Sequence, residues 1–230
     1  MNTFELQHRF NLEMEKHGIQ DPVMSTIVED YINYAYQNYI TEKFDSLINN
    51  IEKFEVTERI SRILAPLLLD FNATAMDFTA LVSSPHNSNG YSVTIPSTSP
   101  TALQYIISES ATISYTDCNG NTVTRTCRVI PIKHNMIATN LDNPFLKPEG
   151  NEIWRVNFSS HRIELLLYSG ATPLTYTCRY IKKQLPVNFT TDTTMEIDSS
   201  VHEEVVVRAS YMYLSDLRNQ DKQDNTGKNA

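Results

Sequence analysis

The most regular alternation of apolar and polar positions lies between Ile153 and Phe189. In Ile153-Trp154-Arg155-Val156-Asn157-Phe158, the residues Trp154, Val156 and Phe158 alternate with Arg155 and Asn157, the period of a half-buried strand. Arg162 to Tyr168 repeats the pattern through Ile163, Leu165 and Leu167. An even-numbered loop sets Trp154 and Val156 opposite that series, and an odd-numbered loop breaks the match. Ser169-Gly170-Ala171-Thr172-Pro173 turns the chain into a third strand, Leu174 to Lys183. It carries Tyr176, Cys178 and Tyr180 on one side and Thr175, Thr177 and Arg179 on the other.

Upstream, Leu103, Tyr105, Ile107, Ala111, Ile113 and Tyr115 share one parity, which predicts a long strand. Asp117-Cys118-Asn119-Gly120-Asn121 is a hairpin signal, and Val123 to Ile132 returns. A three-residue loop with Gly120 left-handed pairs Tyr115 with Val123, whereas a two-residue loop pairs it with Thr124; the apolar match favours the first. Val82 to Thr101 is rich in Ser, Pro and Asn and reads as a loop with at most a short strand at Tyr91 to Ile95. After Pro131 the pattern is irregular, and Asn143-Pro144-Phe145-Leu146-Lys147-Pro148 reads as an extended bridge.

The ends of the chain follow the helical period. Leu6, Phe10 and Met14 recur every four residues in Thr3 to His17, with Gly18 placed as a left-handed cap. The second helical region, to about Asn50, opens at Asp21-Pro22 or at Ser25-Thr26 with Glu29 closing a capping box. Its stripe is Ile27/Val28, Tyr31, Ala35 and Asn38/Tyr39, continued by Phe44, Leu47, Ile48 and Ile51. Tyr31, Tyr34, Tyr36 and Tyr39 read as core or interface packing. A third helix starts near Phe54 and buries Ile60, Ile63, Leu64 and Leu67 until Pro66 and the polar residues after Asp70 end it. Ser199 or Ser200 caps a last helix with Glu203 at the capping-box position and Val201, Val205, Ala209, Met212 and Tyr213 on its buried stripe. The expected fold is α+β: a helical region at 1–80, an antiparallel β-sandwich or barrel-like sheet at 81–198, a C-terminal helix at 199–218 and a flexible tail at 219–230.

Composition changes this picture little. The 230 residues are 40% hydrophobic and 20% charged, ordinary for a soluble domain. No window reaches the roughly 18 apolar residues of a membrane span, and the start lacks the pattern of a secretory signal, so a protein made and kept, or assembled, in a cytoplasm is expected. Three cysteines are too few and scattered for a zinc site or a disulfide framework. With Cys118-Asn119-Gly120 as the turn, Cys127 falls beside Ala111, out of bridging range, and free thiols are expected. A net charge of −8 disfavours clamping nucleic acid, although an acidic wall keeps a passing duplex from sticking.

Candidate chemistry is sparse. No phosphate loop or GxSxG occurs, and His8, His17, His86, His134, His161 and His202 show no metal-ligand spacing. His202-Glu203-Glu204 is the acidic first turn of a helix. The expectation is therefore no catalytic, cofactor or metal residue, and no enzyme.

The ordered elements Asn143-Pro144-Phe145, Lys147-Pro148, Ile153-Trp154-Arg155, Ile163-Glu164-Leu165, Tyr180 to Pro186 and His202-Glu203-Glu204-Val205-Val206, running to Leu217-Arg218, resemble ring or neck proteins of crAss-like bacteriophages. So do Ser25 to Phe44, with Asn33 and Ala35, and Phe54 to Leu69. The resemblance implies a virion protein forming a homo-oligomeric, twelve-fold ring at the head-to-tail junction. It implies the portal and adjacent ring or tail proteins as partners, and a lumen that DNA traverses during genome ejection without sequence-specific binding. A tail-tube or terminator ring is the near alternative. A different class, a glycan-binding β module of a surface adhesin, would use exposed Trp154 with Tyr176 or Tyr180, but the phase of Trp154 favours core packing.

Overall fold

The computed structural model describes residues 1–49, 54–81, 89–137, 148, 151–159 and 162–227. Two compact units divide the chain. Met1–Leu67 joins Gln184–Ala230 in a helical unit, and Leu68–Lys183 forms a sheet unit.

In the helical unit, α1 (Thr3–Lys16) starts at a capping box in which Asn2 and Glu5 satisfy each other's backbone N–H groups. It ends in a Schellman motif: Gly18, at φ 84°, donates to Glu15 O, and Ile19 donates to Met14 O. Leu6, Phe10 and Met14 are buried as the four-residue spacing predicts. α2 (Ser25–Asn49) is one helix, and α3 (Phe54–Leu64) buries Ile60, Ile63 and Leu64. α4 (His202–Gly227) follows a 3-10 turn, Ser199–Val201, whose cap is Asp198 rather than either serine. His202, Val205, Val206, Ala209, Ser210 and Leu214 are its buried positions among those described, while Met212 and Tyr213 are half-buried. The helical backbone continues past residue 218 to Gly227, where composition alone suggested a tail.

α2 differs from its expected stripe for an instructive reason. Val28, Ile32, Ala35, Tyr36, Tyr39, Ile40 and Phe44 are its buried residues; Tyr31 is half-buried and Tyr34 is 60% exposed. A second, polar stripe holds an extended segment of the chain. Phe189 N–H donates to Glu29 Oε2 at 2.9 Å, Val187 N–H donates to Asn33 Oδ1 at 2.7 Å, and Asn33 Nδ2 donates to Val187 O at 2.9 Å. One turn on, Glu196 N–H donates to the Tyr36 hydroxyl at 3.0 Å, and Glu196 Oε2 accepts from Leu185 N–H at 2.9 Å. Side chains of a helix thus serve residues 185–196 as a neighbouring strand would. Glu29 is engaged here instead of closing a capping box.

The sheet unit contains β1 (Leu68–Thr74), β2 (Phe78–Ala80), β3 (Gly90–Thr94), β4 (Leu103–Thr116), β5 (Thr122–Pro131), β6 (Glu152–Ser159), β7 (Arg162–Leu166) and β8 (Thr172–Lys182) in the order β1-β8-β4-β5-β6-β7-β3-β2. β1 and β2 occupy opposite edges, yet only Ala75–Asp77 separates them. Such a corner reaches roughly 14 Å, so the edges approach and the sheet curls into a half-barrel. Ala73, Val93, Ile113, Ile153, Leu165 and Tyr176 are among the residues that fill its interior. The β4–β5 hairpin has the three-residue form, with Gly120 at φ 80°, Tyr115 opposite Val123 and Cys127 beside Ala111. All three cysteines are free thiols.

Four expectations are corrected. β5 and β6 pair in parallel, so the sheet is mixed; residues 132–151 supply the long connection that a parallel pair requires. Strand structure begins at Leu68, inside the region expected to be helical. In β4, irregularities between Leu103 and Tyr105 and between Ile106 and Ser108 shift the phase, so that Leu103, Ile106, Ala111, Ile113 and Tyr115 reach the interior. In β6 both faces are buried, and Trp154 lies opposite Leu166, not in the Ile163/Leu165/Leu167 series. Trp154 and Val156 join Ile137 and Leu166 in a satellite cluster, while Ile153 enters the main interior. The loop at 82–88 and the bridge at 143–147 lie outside the described residues.

Asn33→Ala removes the hydrogen-bond partners that both backbone polar groups of Val187, a fully buried residue, find on α2. It should lower unfolding free energy by about 2–3 kcal/mol in urea titrations. A loss below about 0.5 kcal/mol would mean that the side-chain ladder does not hold residues 185–196.

Candidate functional site

The interior of the sheet unit holds the one concentration of buried charge among the described residues of that unit. The β4 irregularity at Ile106/Ser108 turns Glu109 inward, opposite Cys178. Arg155 on β6 extends into the same interior, and its Nε forms an ion pair with Glu109 Oε2 at 2.8 Å, without the alignment of a hydrogen bond. Their side chains are 8% and 9% exposed. The Tyr176 hydroxyl donates to the same carboxylate oxygen at 2.8 Å, and Arg155 Nη1 donates to Asn157 Oδ1. Burial, and then the Glu109 charge, drive the Tyr176 phenol far above its usual range. Burial pushes the Cys178 thiol to about 11 and raises Cys127 as well. Both sulfurs are therefore held protonated, the opposite of an activated nucleophile.

The histidines are dispersed. His8 stacks on Phe4, His17 meets the edge of Tyr211, and His134 Nε2 lies 2.7 Å from Asn157 O. His202 is buried with Nε2 3.0 Å from Ile197 O, and burial lowers its pKa, an effect that the Ile197 carbonyl and then Asp198 oppose only in part and that the Met1 ammonium, 3.2 Å from Nδ1, reinforces. His86 and His161 lie outside the described residues. Among the described residues, no three His, Cys, Asp or Glu side chains converge as a metal site would require. Two open grooves are present. One, of about 600 Å³, crosses the outer face of β1, β8 and β4 past the Asp70–Arg179 ion pair; the other, of about 410 Å³, lies between α3 and the Asp198–Ser200 turn.

The surface is more distinctive than the interior. Phe4, Met24, Tyr34 and Tyr211 of the helical unit, with Met76 and Met136 of the sheet unit, are exposed by 48–97%. The aromatic platform considered for a glycan does not form from Trp154, Tyr176 and Tyr180, which are 4%, 0% and 2% exposed. No helix among the described residues is long and apolar enough to cross a membrane.

Fold and surface together define an α+β protein with a buried ion pair in its sheet unit and several large apolar side chains displayed outward. The chain matches the family described as phage tail ring protein 3/4 over residues 1–220 and belongs to it. It is thus a ring protein of a bacteriophage tail, a component of the virion. No curated protein matches it.

Glu109→Ala strands a buried guanidinium and should cost about 3–5 kcal/mol, whereas Glu109→Leu combined with Arg155→Met should recover most of that loss. Thermal denaturation of the two variants beside the wild type checks this, and equal losses in the single and double variants would refute it. For His202 the sign is opposite to that of a salt-bridged base. Its folded pKa is depressed, so the unfolded chain takes up the proton first, and stability falls as pH drops below the ordinary value of about 6.5. Between pH 7 and 5 the wild type should lose more Tm than His202→Gln, and parallel Tm curves would exclude this contribution.

Proposed function

We propose that the chain is a structural subunit of a homo-oligomeric ring in the head-to-tail neck, a portal adaptor that extends the DNA channel and links portal to tail. No bond is made or broken in this role. Membership of the ring family supports it, and the exposed large apolar side chains on both units carry it. Phe4, Tyr34, Met76 and Tyr211 gain by being covered, and identical copies arranged head to tail cover them without unsatisfied polar groups. The twelve-fold order and the portal as neighbour come from the resemblance to crAss-like neck proteins. DNA crosses the lumen without sequence-specific contact, consistent with a net charge of −8 that offers no clustered basic face.

A tail-tube or terminator ring uses the same kind of contact and differs in position. Electron microscopy of the particle's neck separates the readings. The expected result is repeated density for this chain around the axis, adjoining the portal. Density adjoining only tail components would favour the alternative, and a single peripheral copy would overturn both.

A further inference from the structure

β1 and β2 are two halves of one bent strand. Following the pairings around the sheet, six antiparallel and one parallel, β1 and β2 run in the same direction. Among the described residues, β1 pairs with β8 alone and β2 with β3 alone. Viewed from one face of the curled sheet, these partners lie on opposite sides of the bent strand. Each half therefore leaves the reverse side without a ladder partner, so the element offers two strand edges that face opposite ways.

Natural sheets blunt such edges with lysine, proline, bulges or inward charges. None of these occurs between Leu68 and Leu81, and both local registers are regular. The two acids present are already engaged. Asp70 accepts from Arg179 Nε and Nη2 at 2.8 and 3.0 Å, and Asp77 accepts from the Thr74 N–H and hydroxyl at 2.7 and 2.9 Å. Between the halves, Met76 is 97% exposed, flanked by half-buried Phe71 and Phe78. The element is uncharged in effect, apolar at its centre and, among the described residues, without a second ladder partner for either half.

We propose that this bent strand is the docking surface for a second copy of the chain, by strand addition at the β1–β2 edge with Met76 covered at the contact. The occupant is a second copy because two edges facing opposite ways suit head-to-tail repetition, in which every copy both gives and receives. The proposal rests on the ring reading and adds the surface through which the ring closes. It leaves the exposed helical residues to other contacts.

Site-specific photo-cross-linking in intact particles tests it. Met76→p-benzoylphenylalanine should yield an adduct of twice the chain mass, at least tenfold more abundant than from Thr124→p-benzoylphenylalanine on exposed β5. Met76→Lys with Ala80→Lys, both exposed positions, should lower incorporation of the chain into particles at least tenfold while leaving the Tm of the isolated protein unchanged. Adducts only with other virion proteins, no adduct at all, or normal incorporation of the double-lysine variant would overturn the proposal. Quantifying the chain by mass spectrometry keeps the two ideas apart: many copies without a Met76 adduct sink this surface alone, and one copy per particle sinks the ring itself.

Discussion

Three residues impose the shape of the sheet unit. Ala75–Asp77 must carry the chain from one edge of an eight-stranded sheet to the other, a distance that a flat sheet of that width would make far longer than the corner can span. Curling is therefore a requirement of connectivity and not only of twist. It creates an enclosed interior, and it places the bent strand at the boundary where the curl does not close by hydrogen bonding. The corner is stabilised locally, since the Asp77 carboxylate satisfies the Thr74 N–H and hydroxyl, and these bonds hold its pKa below the usual carboxylate range. Interior and edge are two consequences of one short connection.

The enclosed interior explains why a charged pair can persist there. Arg155 and Glu109 come from strands that are not neighbours, since β5 lies between β4 and β6, so the pair reaches across one intervening strand inside the curl. Desolvating either group alone costs several kcal/mol, and the pair is tolerated because Tyr176 and Asn157 supply further polar partners. An apolar pair would fill the same volume at comparable stability. What the ion pair adds is selectivity: a one-residue slip of β4 would withdraw Glu109 and leave Arg155 buried without its counter-ion. That penalty reinforces the phase shift at Ile106/Ser108, to which apolar packing alone is less sensitive.

Much of this was legible where local chemistry decides structure. The Gly18 cap, the Leu6/Phe10/Met14 stripe, the Asn119-Gly120 hairpin with its Tyr115/Val123 pairing and the Tyr176/Cys178/Tyr180 face all follow from short-range pattern, and the structure has them. Failures occur where a distant partner decides. Arg155 looks like a solvent position because it alternates with Trp154 and Val156, yet it is buried and its charge is met by Glu109, while Asn157 is exposed as the alternation predicts. β1 hides because Leu67-Leu68-Leu69 continues the apolar face of α3, even though Leu69, Phe71 and Ala73 alternate correctly for a strand. Asn33 stood out only through resemblance. Its role, bonding both polar groups of Val187, depends on a contact across more than 150 positions that no local pattern encodes. The bent edge was invisible for the same reason, because an edge is defined by which strand is missing.

Charge adds a distinction between the two units that the total conceals. Lys and Arg number ten against 19 Asp and Glu in the helical unit, and nine against eight in the sheet unit. The formal −8 therefore belongs to the helices, and the sheet unit is close to neutral. Part of the helical charge is engaged in pairs such as Glu42 and Glu204 with Arg208, but the excess of acids remains. Long-range repulsion of phosphate is accordingly a property of one unit, screened over about 8 Å at physiological ionic strength. In the sheet unit, the two acids of the β1–β2 element, Asp70 and Asp77, are both locally engaged. The same local pairing leaves the β1–β2 element without uncompensated charge, which is one condition that the proposed strand addition requires.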